Sequence, residues 1–354
     1  MKITAYTQVQ NEGWTAYAFD VAHPGEGIST SDFTIDVNEW GNVRENAGKV
    51  LNVVEIPGGI RLETEPISFR GFQLKGSGAA ASINFSREDV AEVKTEWADE
   101  FEARNERGVL YRLYTPDASG PRPLVLFLHG GGECGTDNWA QMTGTIGAAR
   151  IAEDYPDVYV MAPQAPKGLI DPFSNKVPMP RTFAESDMKG ETGWHRRYLA
   201  NICDIIRDMI KANKVNPNRV YVTGLSMGGA GTLRALSVGS DLFAAAVPIC
   251  PTMTPETYGI LCGLVDTKIW IATAYVDHTI YRHKYIVDGI MKLRDSGNHH
   301  AKLTLYSPED LQKYDIATDN DVPLKLLFSQ NHASWVPVYN NEDGIMDWLM
   351  SQVK

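Results

Sequence analysis

The sequence predicts a two-domain chain in which a small all-β sandwich precedes a doubly wound α/β domain. Three observations predict it. Up to about residue 90, apolar and polar side chains alternate with period two between Gly, Asn and Pro clusters. From about residue 108, short continuous apolar runs alternate with helical patterns. The length of 354 residues is large for one domain and comfortable for two, since domains typically hold about 100–200 residues.

The β region comes first. Residues 4–9 (TAYTQV) and 14–19 (WTAYAF) are rich in Thr, Tyr and Val, and stretches 50–56 and 71–74 repeat the alternation. Successive side chains on a strand point to opposite faces, so this pattern buries one face and wets the other. Many short strands with turn signals between them make a small antiparallel sandwich. Helical periodicity is nearly absent until the charged stretch 88–102, which is expected to link the domains. The expected boundaries are 1–90 for the sandwich, 91–107 for the linker and 108–354 for the α/β domain.

In the second region strands are expected at 109–114, 124–128, 158–162, 219–223, 244–249, 268–274 and 302–306. Helices are expected at 198–212, 227–237, 284–295 and 342–352. Unbroken apolar runs are what strands buried on both faces of a parallel sheet require. Their alternation with helices implies a mostly parallel sheet with helices on both faces. Residues 163–193 are Pro-rich and aperiodic. A loop of that length in a compact domain is usually functional, and it is expected to roof a site.

Composition bounds the partners. Hydrophobic residues make up 43% and charged residues 22%, enough for an ordinary core. The net charge of -11, with no dense basic run, argues against nucleic acid and anionic membrane, which both select Lys/Arg clusters. No apolar stretch approaches the roughly 18–20 residues that span a bilayer. The opening MKITAY lacks the apolar run of a signal peptide, so the expectation is a cytoplasmic protein or a secreted one whose leader lies outside this sequence. Cys134, Cys203, Cys250 and Cys262 form no C-x-x-C pair, and free, mostly buried thiols are expected.

The strongest chemical signal is YVTGLSMGG at 221–229, a G-x-S-x-G motif between an apolar strand and a helical pattern. That context is what a nucleophile elbow requires, because the turn is too sharp for large neighbours and lifts the Ser226 hydroxyl clear of the sheet. The bland reading is a Gly-rich turn made for packing. A second signal, LFLHGGGE at 126–133, again ends an apolar strand. Its glycines let the main chain approach a reacting oxygen, so Met227 N–H with the N–H of Gly131 or Gly132 would form an oxyanion hole. A P-loop lysine is missing.

An α/β-hydrolase triad needs an acid and then a histidine in chain order. Asp277 follows the apolar strand at 268–274, and strand ends are where such sheets present catalytic groups. Asp266 precedes that strand and would lie at the wrong edge. Among the later histidines, His278 and His283 sit too near the acid, and His299 and His300 fall in a polar turn. His332 follows an apolar segment and precedes the last helix, so it is the expected base. No H-E-x-x-H set and no G-x-G-x-x-G fingerprint occurs, so neither metal nor cofactor is expected.

With these residues in view, the chain resembles a family of bacterial esterases that carry an N-terminal immunoglobulin-like domain and a C-terminal α/β-hydrolase domain. The family is related to polyhydroxybutyrate-depolymerase-like and dienelactone-hydrolase-like carboxylesterases. The matching segments are LFLHGGGECGTDN (126–138), MAP (161–163), RVYVTGLSMGGAG (219–231), FAAAVPIC (243–250) and HASWVPVY (332–339). The resemblance implies Ser226 as nucleophile, Asp277 as acid, His332 as base and an oxyanion hole at Met227 and Gly131. It also implies that Trp335, in the H-x-S-W segment, packs beside the histidine loop. One departure is the acid loop, where family prolines are replaced by DHTIY at 277–281.

The expected reaction is hydrolysis of short-acyl esters through an acyl-enzyme. Aromatic loop residues, Phe173, Phe183 and Trp194, would also accept an aromatic acyl group, so a feruloyl or acetyl-xylan ester on plant polysaccharide is the alternative. A peptidase of the prolyl-oligopeptidase kind is not expected, because about ninety residues cannot hold a propeller. A non-catalytic binding protein on a hydrolase fold is the reading from another class. The expected partner is thus a small-molecule or polysaccharide-linked ester, with the N-terminal domain as a possible homo-oligomer contact.

Overall fold

A computed structural model describes residues 1–11, 13–39, 42–166, 194–275, 277, 282–314 and 332–354. The chain divides into two compact units, Met1–Glu100 with Thr143–Ala149, and Phe101–Met142 with Arg150–Lys354.

The first unit holds β1 (Ile3–Gln10), β2 (Gly13–Val21), β3 (Phe33–Glu39), β4 (Asn42–Gly48), β5 (Val50–Ile56), β6 (Gly59–Ser68), β7 (Phe72–Gly76), β8 (Asn84–Ser86) and β9 (Glu92–Thr95). They form two sheets, ordered β5-β6-β2-β1-β9 and β4-β3-β7-β8. Period-two alternation sends Ile3, Ala5, Phe19 and Leu62 of one sheet and Ile35, Leu74 and Phe85 of the other into a shared core. Phe19 meets Phe85 edge-on at 5.3 Å between ring centroids.

The stretch expected to link the domains holds strands and short 3-10 turns and no α-helix. β9 pairs in parallel with β1, Thr7 opposite Thr95, and the Thr7 hydroxyl donates to that of Thr95 at 2.9 Å. The first unit therefore runs past the expected boundary at 90, and the expected linker 91–107 contributes strands to both units. Charges at 92, 94 and 96 alternate with Val93 and Thr95. That period-two pattern is too short and too polar to stand out against the surrounding charge.

The second unit adds β10 (Glu102–Glu106), β11 (Val109–Tyr114), β12 (Arg122–Leu128), β13 (Tyr159–Pro163), β14 (Val215–Leu225), β15 (Ala245–Ile249), β16 (Trp270–Ala274) and β17 (Lys302–Tyr306). Their order in one sheet is β10-β11-β13-β12-β14-β15-β16-β17. The β10–β11 and β11–β13 pairs are antiparallel, and the remaining pairs are parallel. β13 and β15 are buried at every residue, while β11 alternates buried and half-buried. Continuous apolar runs thus mark the inner parallel strands and alternation the antiparallel margin, as the two kinds of environment demand.

The helices are α1 (Ala140–Thr143), α2 (Ala148–Asp154), α3 (Arg196–Lys211), α4 (Met227–Val238), α5 (Pro255–Cys262), α6 (Arg282–Asp295), α7 (Pro308–Gln312), α8 (Trp335–Tyr339) and α9 (Ile345–Ser351). Val222 of β14 joins the core cluster with Leu199 and Ile202 of α3 and Leu233 of α4. Its neighbour Tyr221 points to the opposite face, where its hydroxyl donates to Met350 O of α9 at 3.0 Å. Helices therefore cover both faces of the sheet. β10 and helices α1, α2, α5, α7 and α8 lie outside the expected elements, each being short or polar. The expected loop 163–193 lies largely outside the described residues, as does the apolar segment 324–328.

α4 is buried along nearly its whole length, including Arg234 at 1% exposure. The Arg234 guanidinium donates to Glu256 Oε2 at 3.0 and 2.9 Å, and Arg196 Nε donates to Glu256 Oε1 at 3.1 Å. Glu256 stands in the first turn of α5, which Thr254 caps and Pro255 starts. Burial alone would raise the Glu256 carboxyl, but the two guanidinium groups outweigh it and hold the carboxyl below its ordinary range. This pair fixes α5 against the helix that follows Ser226.

All four cysteines are free, with Cys203 and Cys250 buried. Burial pushes the Cys203 thiol up to about 12, so it is an inert core group. Among the described residues no helix is long and apolar enough to cross a membrane.

Candidate active site

Ser226 sits between the end of β14 and the start of α4, with φ 56° and ψ -113°. A non-glycine residue held there is strained by about 1–3 kcal/mol, and the surroundings must hold it. They do: Ser226 N–H donates to Ile249 O at 2.9 Å, and Ser226 O accepts from Thr252 N–H at 3.1 Å and Ala230 N–H at 3.2 Å. The flanking glycines are sterically required. A Cβ on Gly228 would stand 1.9 Å from Leu128 O, and one on Gly224 would stand 2.6 Å from the same oxygen. The elbow is thus pressed against the end of β12, where the glycine loop begins.

Three side chains far apart in sequence meet here. His332 Nε2 lies 2.9 Å from Ser226 Oγ, and His332 Nδ1 lies 2.9 Å from Asp277 Oδ2. A carboxylate only accepts, so Nδ1 carries the proton toward Asp277 and Nε2 is left to accept from the serine hydroxyl. Asp277 is fully buried, and Ser226 and His332 retain 7% and 9% exposure. Trp335 stands edge-on to the imidazole at 5.4 Å, in the first turn of α8. The structure thus sets Trp335 beside His332.

Of the rejected candidates, Asp266 is exposed before β16 and His299 and His300 are exposed after α6; His278 lies outside the described residues. His283 sits against Tyr275, with ring centroids 5.2 Å apart.

The glycine loop follows β12. Gly130 is packed so closely on the elbow that a Cβ there would stand 2.9 Å from Leu225 Cδ1. Gly131 opens a short 3-10 turn, Gly131–Glu133, and nothing lies within 4 Å of a Cβ position on Gly132. Met227 is the first residue of α4, and the Cys134 thiol touches its sulfur at 3.9 Å. The first backbone N–H groups of a helix have no partner within the helix.

Trp194 is not a pocket wall. Its indole is wholly buried, packed where a Cβ on Gly231 would stand 2.6 Å from it, and its Nε1–H donates to His129 O at 3.1 Å. As an aromatic loop residue it is a candidate for an acyl pocket, but the ring finds its place against Gly231 of α4. Phe173 and Phe183 lie outside the described residues.

His129 opens the glycine motif directly after β12. Ala165 N–H donates to its Nε2 at 2.9 Å, so Nδ1 bears the proton and donates to Gly130 O at 2.6 Å. Complete burial lowers its pKa from 6.5 to about 4, so the ring is neutral. Glu133 Oε2, 3.8 Å from Nδ1, is then a neighbour rather than an ion-pair partner. A folded pKa below the unfolded one means that the unfolded chain takes up the proton first as pH falls. This contribution is complete above pH 6.5 and lost progressively toward about 4, amounting to about 3 kcal/mol. Urea unfolding at pH 7 and pH 4.5 is expected to show a shallower pH dependence for His129→Asn than for wild type, and equal slopes would refute this.

A model of the prolyl oligopeptidase family matches residues 187–287, a span that contains Ser226 and Asp277. Among solved structures, a thermostable esterase aligns over 100% of both chains, at 24% identity and a TM-score of 0.72. The chain has the α/β-hydrolase fold. Weaker likenesses include a putative dienelactone hydrolase from Klebsiella pneumoniae subsp. pneumoniae (15% identity, 68% of this chain and 97% of that one, TM-score 0.45). Another is the S-formylglutathione hydrolase of Staphylococcus aureus (15% identity, 71% and 96%, TM-score 0.45). None of the curated proteins matches by sequence. The fold, the family match and the serine–histidine–aspartate geometry make this α/β-hydrolase chain a serine hydrolase.

Proposed function

We propose that this hydrolase is a carboxylesterase acting on short-acyl esters through an acyl-enzyme. The observation that carries the reading is the unbroken relay from Ser226 Oγ through His332 to buried Asp277, with 2.9 Å at each step. Ser226 attacks the ester carbonyl while His332 Nε2 takes its proton. Asp277 holds the imidazole in the required tautomer and supports its positive charge. Met227 N–H and the N–H of Gly131 or Gly132 receive the oxyanion. His332 then returns the proton to the leaving alcohol, and water repeats the sequence on the acyl-enzyme. No step calls for a cofactor.

Esters come before amides as the class to test because the full-length likeness is to a protein described as an esterase. The aromatic-acyl alternative loses one of its three supports, since Trp194 is buried away from solvent. The test is hydrolysis of p-nitrophenyl acetate, butyrate, octanoate and palmitate, with a prolyl p-nitroanilide peptide as the amide comparison. Turnover falling from acetate to palmitate is expected. Equal or faster turnover of the peptide, or of palmitate, would overturn the short-acyl ester reading.

A further inference from the structure

Three successive glycines have no side chains with which to anchor themselves, yet an oxyanion hole works only if its N–H groups are held in place beforehand. Much of what holds 129–138 here is polar and comes from the two residues after β13. Gln164 is 1% exposed and uses both ends of its carboxamide. Its Oε1 accepts from Asn138 N–H at 2.7 Å. Its Nε2 donates to Glu133 O at 3.0 Å and approaches Asp137 Oδ1 at 3.3 Å. Ala165 adds two main-chain bonds, its O accepting from Gly135 N–H at 3.0 Å and its N–H donating to His129 Nε2 at 2.9 Å. Gly135 must be glycine for this approach, since a Cβ there would stand 2.8 Å from Gln164 Nε2.

Gln164 is itself fixed from both sides. Its N–H donates to Leu110 O at 2.9 Å, and its O accepts from the Tyr198 hydroxyl at 2.7 Å. The opposite side of the loop meets the elbow through Gly130 on Leu225 and Cys134 on Met227. The glycines therefore lie between a polar clasp and the turn that carries the serine. Nothing in the triad touches Gln164.

We propose that Gln164 is a positioning residue for ester hydrolysis: its buried carboxamide bridges Glu133 O and Asn138 N–H and so sets where the oxyanion-loop N–H groups stand. The inference rests on the esterase reading above. It acts through the loop alone, so it bears on transition-state stabilisation and leaves ground-state ester binding nearly untouched. A displacement of about 1 Å in such a group costs on the order of 10²-fold in rate.

The test is steady-state hydrolysis of p-nitrophenyl butyrate by Gln164→Met, which keeps shape and removes the hydrogen bonds. Concentrations are set by fluorophosphonate titration, and inhibition by a trifluoromethyl ketone, whose adduct carries an oxyanion, is measured alongside. The expected result is kcat lowered about 10²-fold with KM within about threefold, and ketone affinity weakened by the same factor as kcat/KM. Gln164→Glu keeps the acceptor for Asn138 N–H but sets a carboxylate against Glu133 O and Asp137, so it is expected to lose at least as much. It carries the same test should the methionine variant not fold. Ile205→Ala, in the core on α3, is the stability control, with a lower melting temperature and unchanged kcat. Wild-type kcat and ketone affinity in Gln164→Met would overturn the proposal, as would a fall in kcat with ketone affinity unmoved. The parent reading fails separately, in the wild type, if no ester is turned over in a serine-dependent way.

Discussion

Ser226→Ala is expected to lower kcat for p-nitrophenyl acetate by about 10⁶-fold, leaving only what oriented binding and the oxyanion donors supply, some 10³–10⁴ over water. The reason is that the Ser226 hydroxyl stands 2.9 Å from the accepting nitrogen, His332 Nε2. The substitution itself is mild. Ser226 is held by its main chain, through Ile249 O, Thr252 N–H and Ala230 N–H, so the elbow should keep its shape and the melting temperature should barely move. KM should also change little. Loss of fluorophosphonate labelling with retained fold would tie the activity to this atom, whereas an alanine variant that still turns over ester at more than about 1% of wild type would place the nucleophile elsewhere.

Asp277→Asn is the second large effect, expected at about 10⁴-fold in kcat. The asparagine is nearly isosteric, so the argument concerns protons. Buried Asp277 accepts from His332 Nδ1 at 2.9 Å. An amide can turn its NH₂ toward that nitrogen, which moves the imidazole proton to Nε2 and leaves no lone pair for the serine proton. It also removes the negative charge that offsets the imidazolium formed in the transition state. Full burial keeps bulk solvent from replacing either role. Activity equal to wild type would show that another group serves as the acid, and fluorophosphonate labelling slowed in proportion to kcat would place the loss in serine activation.

Much of the fold is legible from residue patterns because burial on both faces leaves a mark on every residue. β13 falls at Tyr159–Pro163 and β15 at Ala245–Ile249, each shifted by no more than about a residue from the apolar runs that predict them, and α4 begins at Met227 directly after the elbow. The stretch 88–102 misleads because its charges hide the two alternating residues, Val93 and Thr95, that let β9 join β1. A parallel partner some 88 residues away leaves no local trace of its register.

The site divides along the same line. Sequence by itself determined where the elbow and the loop lie, because G-x-S-x-G after one strand and H-G-G-G after another are local patterns, whereas the atom that forbids a Cβ at Gly224 and Gly228, Leu128 O, is distant in the chain. Only the tertiary structure decided which groups those two turns meet. His332 comes to Ser226 from 106 residues away and to Asp277 from 55. Trp194 turns inward beneath α4, and Gln164 reaches across to Glu133 and Asn138. A buried polar side chain is defined by the partners that satisfy it, and the order of strands in the sheet chooses those partners.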